Sequence, residues 1–550
     1  MQVVNRRAKP GATAAISLTI AVLGAGCGGI GEREALPGPS CPSDQMACGQ
    51  QCVAVLTDPT SCGGCGIPCS AGQTCQGGVC QCISGVLCNG ACEPSDTSEC
   101  QTSNGTLVTS APGGYWRTDG QLTGVASGNA DVTVDDGATA QTWEGFGGSF
   151  NEMGWHYLSM LSTNDRDTAI RLLYGADGAR FAFGRIPIGA SDYAMERYTL
   201  DETADDTSLA SFSIARDMQL LIPFIKAAQT VKANIRFWAS PWTPPSWMKQ
   251  EPFSPGNVYS PFDGGTMKDD DATMQAFAQY FVRFVQAYAQ QGIAIEAISP
   301  QNEPSYTGNY PTCGWSPRTY TKFVGQYLGP AVAGAGLATK IVLGTFNDGR
   351  SDPGIVGSVM GDEPARSYIK VLGFQWGMLG QVGSAKSYRL PIWQTEHKCG
   401  NYPWEKPFNA DSAPNDQTYA VESWSLIRDW IRAGVTAYSA WNMVLDTVGV
   451  GIDTTRVWPQ NALLTVDTAR KTLNITPTYY VFRHFSQFVV QGAKVAATRG
   501  GDAVAFRNPD GSIVIVMHNA GATKTMTVAT ASKKLQFAMP GNGWATVVAR

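Results

Sequence analysis

Beyond residue 104 the chain alternates between short apolar runs of strand length and longer stretches in which apolar side chains recur at helical spacing. That alternation is the pattern of repeated βα units. Eight runs qualify as strands: Glu144–Phe150, Ala179–Pro187, Ile235–Ser240, Ile293–Pro300, Lys340–Gly344, Leu372–Trp376, Pro391–Thr395 and Ala437–Trp441. Between them, segments such as Met274–Gln290 and Tyr419–Ala433 read as amphipathic helices. Eight such units over residues 141–483 predict an α/β fold, a (β/α)8 TIM barrel, with its functional side chains at the C-terminal ends of the strands. The flanks follow a shorter period. Ala503–Phe506, Ser512–Met517 and Asp131–Val134 alternate apolar and polar residues, so 105–140 and 484–550 are expected to join in a β-rich side domain.

The region before residue 104 fits neither pattern. Arg6, Arg7 and Lys9 precede Ala12–Ala25, a mostly small, apolar stretch short of the about 20 residues a bilayer span needs. Residues 1–26 therefore read as an export signal and 27–40, with Pro37, Gly38 and Pro39, as a linker. The run Leu23-Gly24-Ala25-Gly26 before Cys27 resembles a bacterial lipoprotein signal, in which the cysteine receives lipid. Gly24 stands where that pattern usually has leucine, which leaves both a lipid-anchored surface form and a secreted form open. Membrane attachment is expected through that lipid alone.

Twelve of the 15 cysteines fall between Cys41 and Cys100, in a segment with almost no large apolar side chains. Such a segment cannot bury a core of its own, and in an exported chain six disulfides would hold it together. Cys62-Gly63-Gly64-Cys65 has the spacing of a zinc or redox pair, but export and the even count favour disulfides. Residues 41–100 are thus expected to be a stapled spacer or surface-binding module, its pairing unreadable from sequence.

Charge and composition narrow the chemistry. A net charge of -5 lacks the basic face that nucleic acid requires, and four histidines make a multi-histidine metal centre a poor fit. No phosphate-binding glycine loop, serine elbow or paired-histidine zinc motif is present. No metal or other cofactor is expected, and the catalytic unit is expected to be monomeric.

The strand ends carry what remains. The fourth strand opens into Gln301-Asn302-Glu303-Pro304, and the seventh into Glu396-His397. The third ends in Ser240-Pro241-Trp242 and the eighth in Trp441-Asn442. Indole faces stack on the apolar faces of pyranose rings, while amides and carboxylates bind hydroxyls. Two carboxyl groups across a glycosidic bond are also what its hydrolysis needs, one to donate a proton and one to attack or to activate water.

Several runs in order resemble glycoside hydrolase family 30, closest to its glucosylceramidase branch. They are Gly145-Phe146-Gly147-Gly148, Arg185-Ile186-Pro187-Ile188-Gly189-Ala190-Ser191-Asp192-Tyr193, Ala239-Ser240-Pro241-Trp242-Thr243-Pro244-Pro245-Ser246-Trp247, the Asn302-Glu303-Pro304 run, Trp441-Asn442-Met443-Val444 and Tyr480-Val481-Phe482-Arg483-His484. The resemblance implies a retaining enzyme built on a barrel with a β-rich side domain. It implies Glu303 as acid/base, Glu396 as nucleophile and Asn302 as a ligand of the sugar 2-hydroxyl. It places Asp192, Trp242 and Trp441 on the glycone pocket, with core packing as the alternative for the two tryptophans. Arg185 would favour the ionised nucleophile, or else form a structural ion pair in the barrel mouth.

One departure bears on substrate. The glucosylceramidase branch usually carries His-Trp-Tyr at strand six, its tyrosine bonding the nucleophile; this chain reads Gln375-Trp376-Gly377. His397 is a candidate substitute, although neighbours on a strand face opposite ways. A carbohydrate or glycolipid partner is expected, with β-glucosidic bonds (glucosylceramide-like or β-1,6-glucan) leading, β-xylan second, and a non-catalytic sugar-binding surface protein as the rival. Cys313 and Cys399, in loops of the same barrel face, are a candidate disulfide at the rim.

Overall fold

The computed structural model describes Cys41, parts of 45–93, and 105–550 apart from 123, 126–128 and 254–260. The export signal, the linker and Cys27 lie outside the described residues.

Eight parallel strands close into a barrel in sequence order. They are β1 (Gly145–Ser149), β2 (Phe183–Pro187), β3 (Arg236–Ser240), β4 (Ile295–Ile298), β5 (Lys340–Phe346), β6 (Ile369–Gln375), β7 (Ile392–Glu396) and β8 (Ala437–Asn442). All eight expected strands are present, and β1 closes the ring by pairing with both β2 and β8. The interior is filled by side chains, not open: Phe183, Trp238, Val342, Val371 and Trp393 form one buried cluster. Those bulky rings need small partners, which β1 supplies. A Cβ on Gly147 would stand 2.2 Å from the Phe183 carbonyl oxygen.

β2 begins four positions later than the apolar run suggests. Arg180 takes a left-handed φ of 53°, and Ala179 and Phe181 are buried as loop residues in the main core. Apolar runs do not distinguish a buried loop from a strand.

The helices follow their signals. α1 (Asp271–Gln290) is capped by Asp270, whose side chain accepts from the Thr273 N–H, and buries Phe277, Phe281 and Phe284. α2 (Gln417–Ala433) starts at the Asp416 cap and ends at Gly434, with φ 113°. α3 (Pro477–Ser486) runs through the expected domain boundary at 483.

The flanking segments meet in one nine-stranded sheet. Gly105–Ala111 and Val132–Thr142 pair with strands drawn from Lys494–Ala549, and Gly114–Gln121 pairs with Gly105–Ala111 at the edge of the sheet. This sheet has a core of its own, including Val132, Ile515, Leu535 and Val547. α3 docks on it through His484, whose two ring nitrogens meet Ser110 and Thr546 hydroxyls at 2.9 and 2.8 Å.

Within the cysteine-rich segment the structure pairs Cys41–Cys52, Cys48–Cys65, Cys62–Cys75, Cys69–Cys80 and Cys82–Cys92. Cys62 and Cys65 thus belong to different disulfides, so they do not form a redox pair. The side chains of Cys88 and Cys100 lie outside the described residues. No helix among the described residues is long and apolar enough to cross a membrane.

Candidate active site

A cavity of about 280 Å³ opens at the C-terminal end of the barrel, walled by loops that follow β2, β3, β4, β5, β6, β7 and β8. Glu303 and Glu396 both line it, with Asp192, Trp242 and Asn302.

Its floor is organised by one buried cation. The Arg185 guanidinium, carried by β2, donates to Glu396 Oε2 at 2.6 Å and to Asn302 Oδ1 at 2.6 Å. It also reaches Ser240 Oγ at 3.2 Å and Thr345 Oγ1 at 3.4 Å. One side chain therefore ties β2 to β3, β4, β5 and β7. The guanidinium lies over the Trp242 ring at 4.3 Å and the Trp441 ring at 5.4 Å. The two sequence readings of Arg185, structural pair and partner of Glu396, describe the same bond.

Asn302 is held by its carbonyl end. Its Oδ1 accepts from Arg185, from Thr345 Oγ1 at 2.9 Å and from Gln375 Nε2 at 2.7 Å. The amide nitrogen faces the cavity wall, where it donates to Glu303 Oε2 at 3.5 Å and keeps a second N–H for a ligand. Glu303 follows in a left-handed conformation, φ 46°, which costs a non-glycine residue about 1–3 kcal/mol and clusters at functional sites. Its N–H donates to the Thr345 carbonyl at 2.9 Å, which pins the turn. The carboxyl is held at both oxygens: Asn347 Nδ2 donates to Oε1 at 2.8 Å and Tyr310 OH to Oε2 at 2.9 Å.

Glu396 is the last residue of β7. Burial raises the pKa of its carboxyl, and the nearby Glu303 and Asp192 carboxyls reinforce this, while the Arg185 guanidinium opposes it and favours the ionised form. Asp192, pushed up to about 7 by burial and by Glu303, keeps one buried carboxyl oxygen without a hydrogen-bond partner among the described residues. A buried acceptor in that state is matched by a hydroxyl donor from a ligand.

Of the residues expected to bind sugar, Asp192, Trp242 and Asn302 line the cavity, while Arg185 and Trp441 are buried behind its wall. Trp441 stacks on Trp242, centroids 5.4 Å apart at 25°, and donates its indole N–H to Gln460 at 3.1 Å, so it supports the cavity wall without lining it. The bridge between Cys313 and Cys399 is not formed, and both are buried free thiols. Cys313 packs in the main barrel core, whereas Cys399 sits with Tyr193, Trp242 and Trp441 at the cavity. His397 does not substitute for the missing tyrosine either. Its ring faces Tyr438 OH at 2.5 Å and Ser423 Oγ at 3.0 Å, on the side turned to α2.

Sequence reasoning missed Asn347, Tyr310 and Gln375. Asn347 had a readable signal: β5 runs on to Phe346, so this amide is the first residue past a strand end. Gly377 explains how it sits there. Its N–H donates to Asn347 Oδ1 at 2.9 Å, and a Cβ at 377 would lie 2.1 Å from the Asn347 carbonyl oxygen.

Residues 143–489 match the glycosyl hydrolase family 30 TIM-barrel domain, and 492–547 the glycosyl hydrolase family 30 beta sandwich domain. The chain is 28% identical to the lysosomal acid glucosylceramidase of Mus musculus, covering 70% of this chain and 77% of that one. It is 27% identical to the endo-1,6-beta-D-glucanase neg1 of Aspergillus fumigatus, over 70% of this chain and 81% of that one. The solved endo-beta1,6-glucanase BT3312 shares the fold, with a TM-score of 0.72 at 22% identity over 81% of this chain and 99% of that one.

Proposed function

The chain belongs to glycosyl hydrolase family 30 and is a glycosidase, and from that premise we propose that it is an exported retaining enzyme cleaving β-glucosidic bonds by double displacement. The observation that carries this reading is that Glu303 and Glu396 line one cavity, the second bonded to Arg185. The ionised Glu396 carboxylate attacks the anomeric carbon while Glu303 gives its proton to the leaving oxygen. The glycosidic C–O bond breaks as the ester bond to Glu396 forms. Glu303, now a base, takes a proton from water, whose oxygen attacks the same carbon and releases Glu396. Arg185 holds the Glu396 oxygen it contacts, and Asn302 presents its second N–H to the 2-hydroxyl. Asp192 accepts from a hydroxyl of the same sugar ring.

The β-glucosidic assignment is supported by the relatives named above, one a glucosylceramidase and one an endo-1,6-glucanase. Export is supported by the basic and apolar N-terminal pattern and by five disulfides, a bond type that persists in oxidising compartments. Glu303→Gln is expected to lower kcat on gluco-oligosaccharides roughly 10²–10⁴-fold, and Glu396→Gln at least as much. Full activity in both variants would sink the assignment. Proton NMR of the first-formed anomer should show the β configuration, and an inverted product would rule out the covalent intermediate.

A further inference from the structure

We infer that Trp404, with Trp376 and Trp458, forms a second sugar-binding wall beyond the scissile bond, so that the leaving group this enzyme accepts is another sugar ring and not a lipid. The inference rests on the β-glycosidase reading above and specifies its substrate class.

The cavity lining runs from Glu396, which is buried, to Trp404, which is exposed. Trp376 directly follows β6, Trp404 lies in the loop after β7, and Trp458 in the loop after β8; all three line the cavity. Trp404 is 53% exposed, the most exposed tryptophan among the described residues, yet it is held from several sides. Trp376 stacks on it at 6.5 Å and 16°, Tyr402 at 5.6 Å and 29°, and Trp458 meets it edge-on at 5.0 Å. Trp458 is fixed in turn by its indole N–H donating to the Gly400 carbonyl at 3.0 Å. A rigid indole that stays exposed at the mouth of a polar cavity is a preformed surface for a flat apolar ligand face.

The rest of the wall identifies the ligand. Among the described residues lining the cavity there is no leucine, isoleucine, valine, methionine or phenylalanine. Alkyl chains of a glycolipid would find no aliphatic side chain in the lining itself. The aromatic rings are accompanied at the same mouth by Asp453, Arg456 and Tyr306, which offer hydrogen bonds. Ring faces of indole for C–H groups and polar side chains for hydroxyls are the requirements of a pyranose.

The test compares two substrates that share a glycone. β-Glucosyl fluoride has no ring beyond the scissile bond, while a β-1,6-linked gluco-oligosaccharide does. Trp404→Ala should leave kcat/KM on the fluoride unchanged and lower it about tenfold or more on the oligosaccharide, mostly through KM. Trp404→Phe, which keeps a ring, should recover most of that loss. Wild-type enzyme should also prefer the oligosaccharide to glucosylceramide in detergent micelles. Equal losses on fluoride and oligosaccharide, no loss on either, or preference for glucosylceramide would overturn the proposal. Wild-type enzyme inert toward β-glucosyl fluoride would instead overturn the β-glucoside reading, which separates the two failures.

Discussion

Asn347 and Gly377 act as a unit on the acid/base candidate. The amide nitrogen of Asn347 holds Glu303 Oε1, and its oxygen is held by the Gly377 N–H. A methyl group at 377 would collide with the Asn347 backbone, so the loop after β5 must shift and carry the amide away from Glu303. Misplacement of about 1 Å at such a contact costs up to roughly 10²-fold in rate. Gly377→Ala and Asn347→Ala should therefore both lower kcat on oligosaccharides while sparing β-glucosyl fluoride, whose leaving group needs no proton. The double variant should lose little more than either single one, because the two changes break one chain of contacts. Strictly additive losses would show that the residues act separately. Glu396 was legible as a strand end and Glu303 as part of the loop that follows one, both beside amides or aromatics. Tyr310 was not, since its role depends on a loop that a linear pattern does not place.

At the level of elements, α3 is the joint between barrel and sheet, and His484 is its pin. The ring is fully buried between two hydroxyls, and burial pushes its pKa down to about 3, as it does for His397. In the unfolded chain both rings protonate near their ordinary 6.5, but in the folded protein they do not until about 3. The unfolded state thus binds more protons as pH falls from 6.5 toward 3, and stability drops through that window. Denaturant unfolding of wild-type protein should show lower stability at pH 5 than at pH 7.5. His484→Gln should be less stable at pH 7.5, by about 1–3 kcal/mol if its amide fails to reach both hydroxyls, yet lose less on acidification. An unchanged pH slope would mean that His484 is not the titrating group. The strands themselves were readable as apolar runs, with errors only at ends such as Ala179–Ala182. Their partners in the nine-stranded sheet were not, because local alternation carries no address for a strand hundreds of residues away.

Across the whole molecule the sulfur chemistry is divided. All five described disulfides lie between Cys41 and Cys92, while the two barrel thiols are free. Burial pushes the Cys313 thiol up to about 12 and raises that of Cys399 well above the usual range, so both are poor nucleophiles in the folded state. Dithiothreitol should open the N-terminal module to proteolysis without changing turnover of β-glucosyl fluoride. Thiol labelling of denatured, unreduced protein should modify Cys313 and Cys399, as read by peptide mass. Loss of turnover on reduction would show that the module supports the barrel. The cysteine count announced a stapled module, but its connectivity depends on which β-hairpins form, and spacing does not encode that.

The nine-stranded sheet also sets a clock. Val132–Thr142 pairs with Lys494–Arg499, and Gly105–Ala111 with Gly543–Ala549, across the whole length of the intervening barrel. At ribosomal rates of about 5–20 residues per second, the first of these strands waits roughly 20–70 s for its partner to be made. During that interval the barrel sequence is completed while three early strands present unsatisfied edges. The nascent chain therefore depends on whatever shields those edges until its last strands emerge.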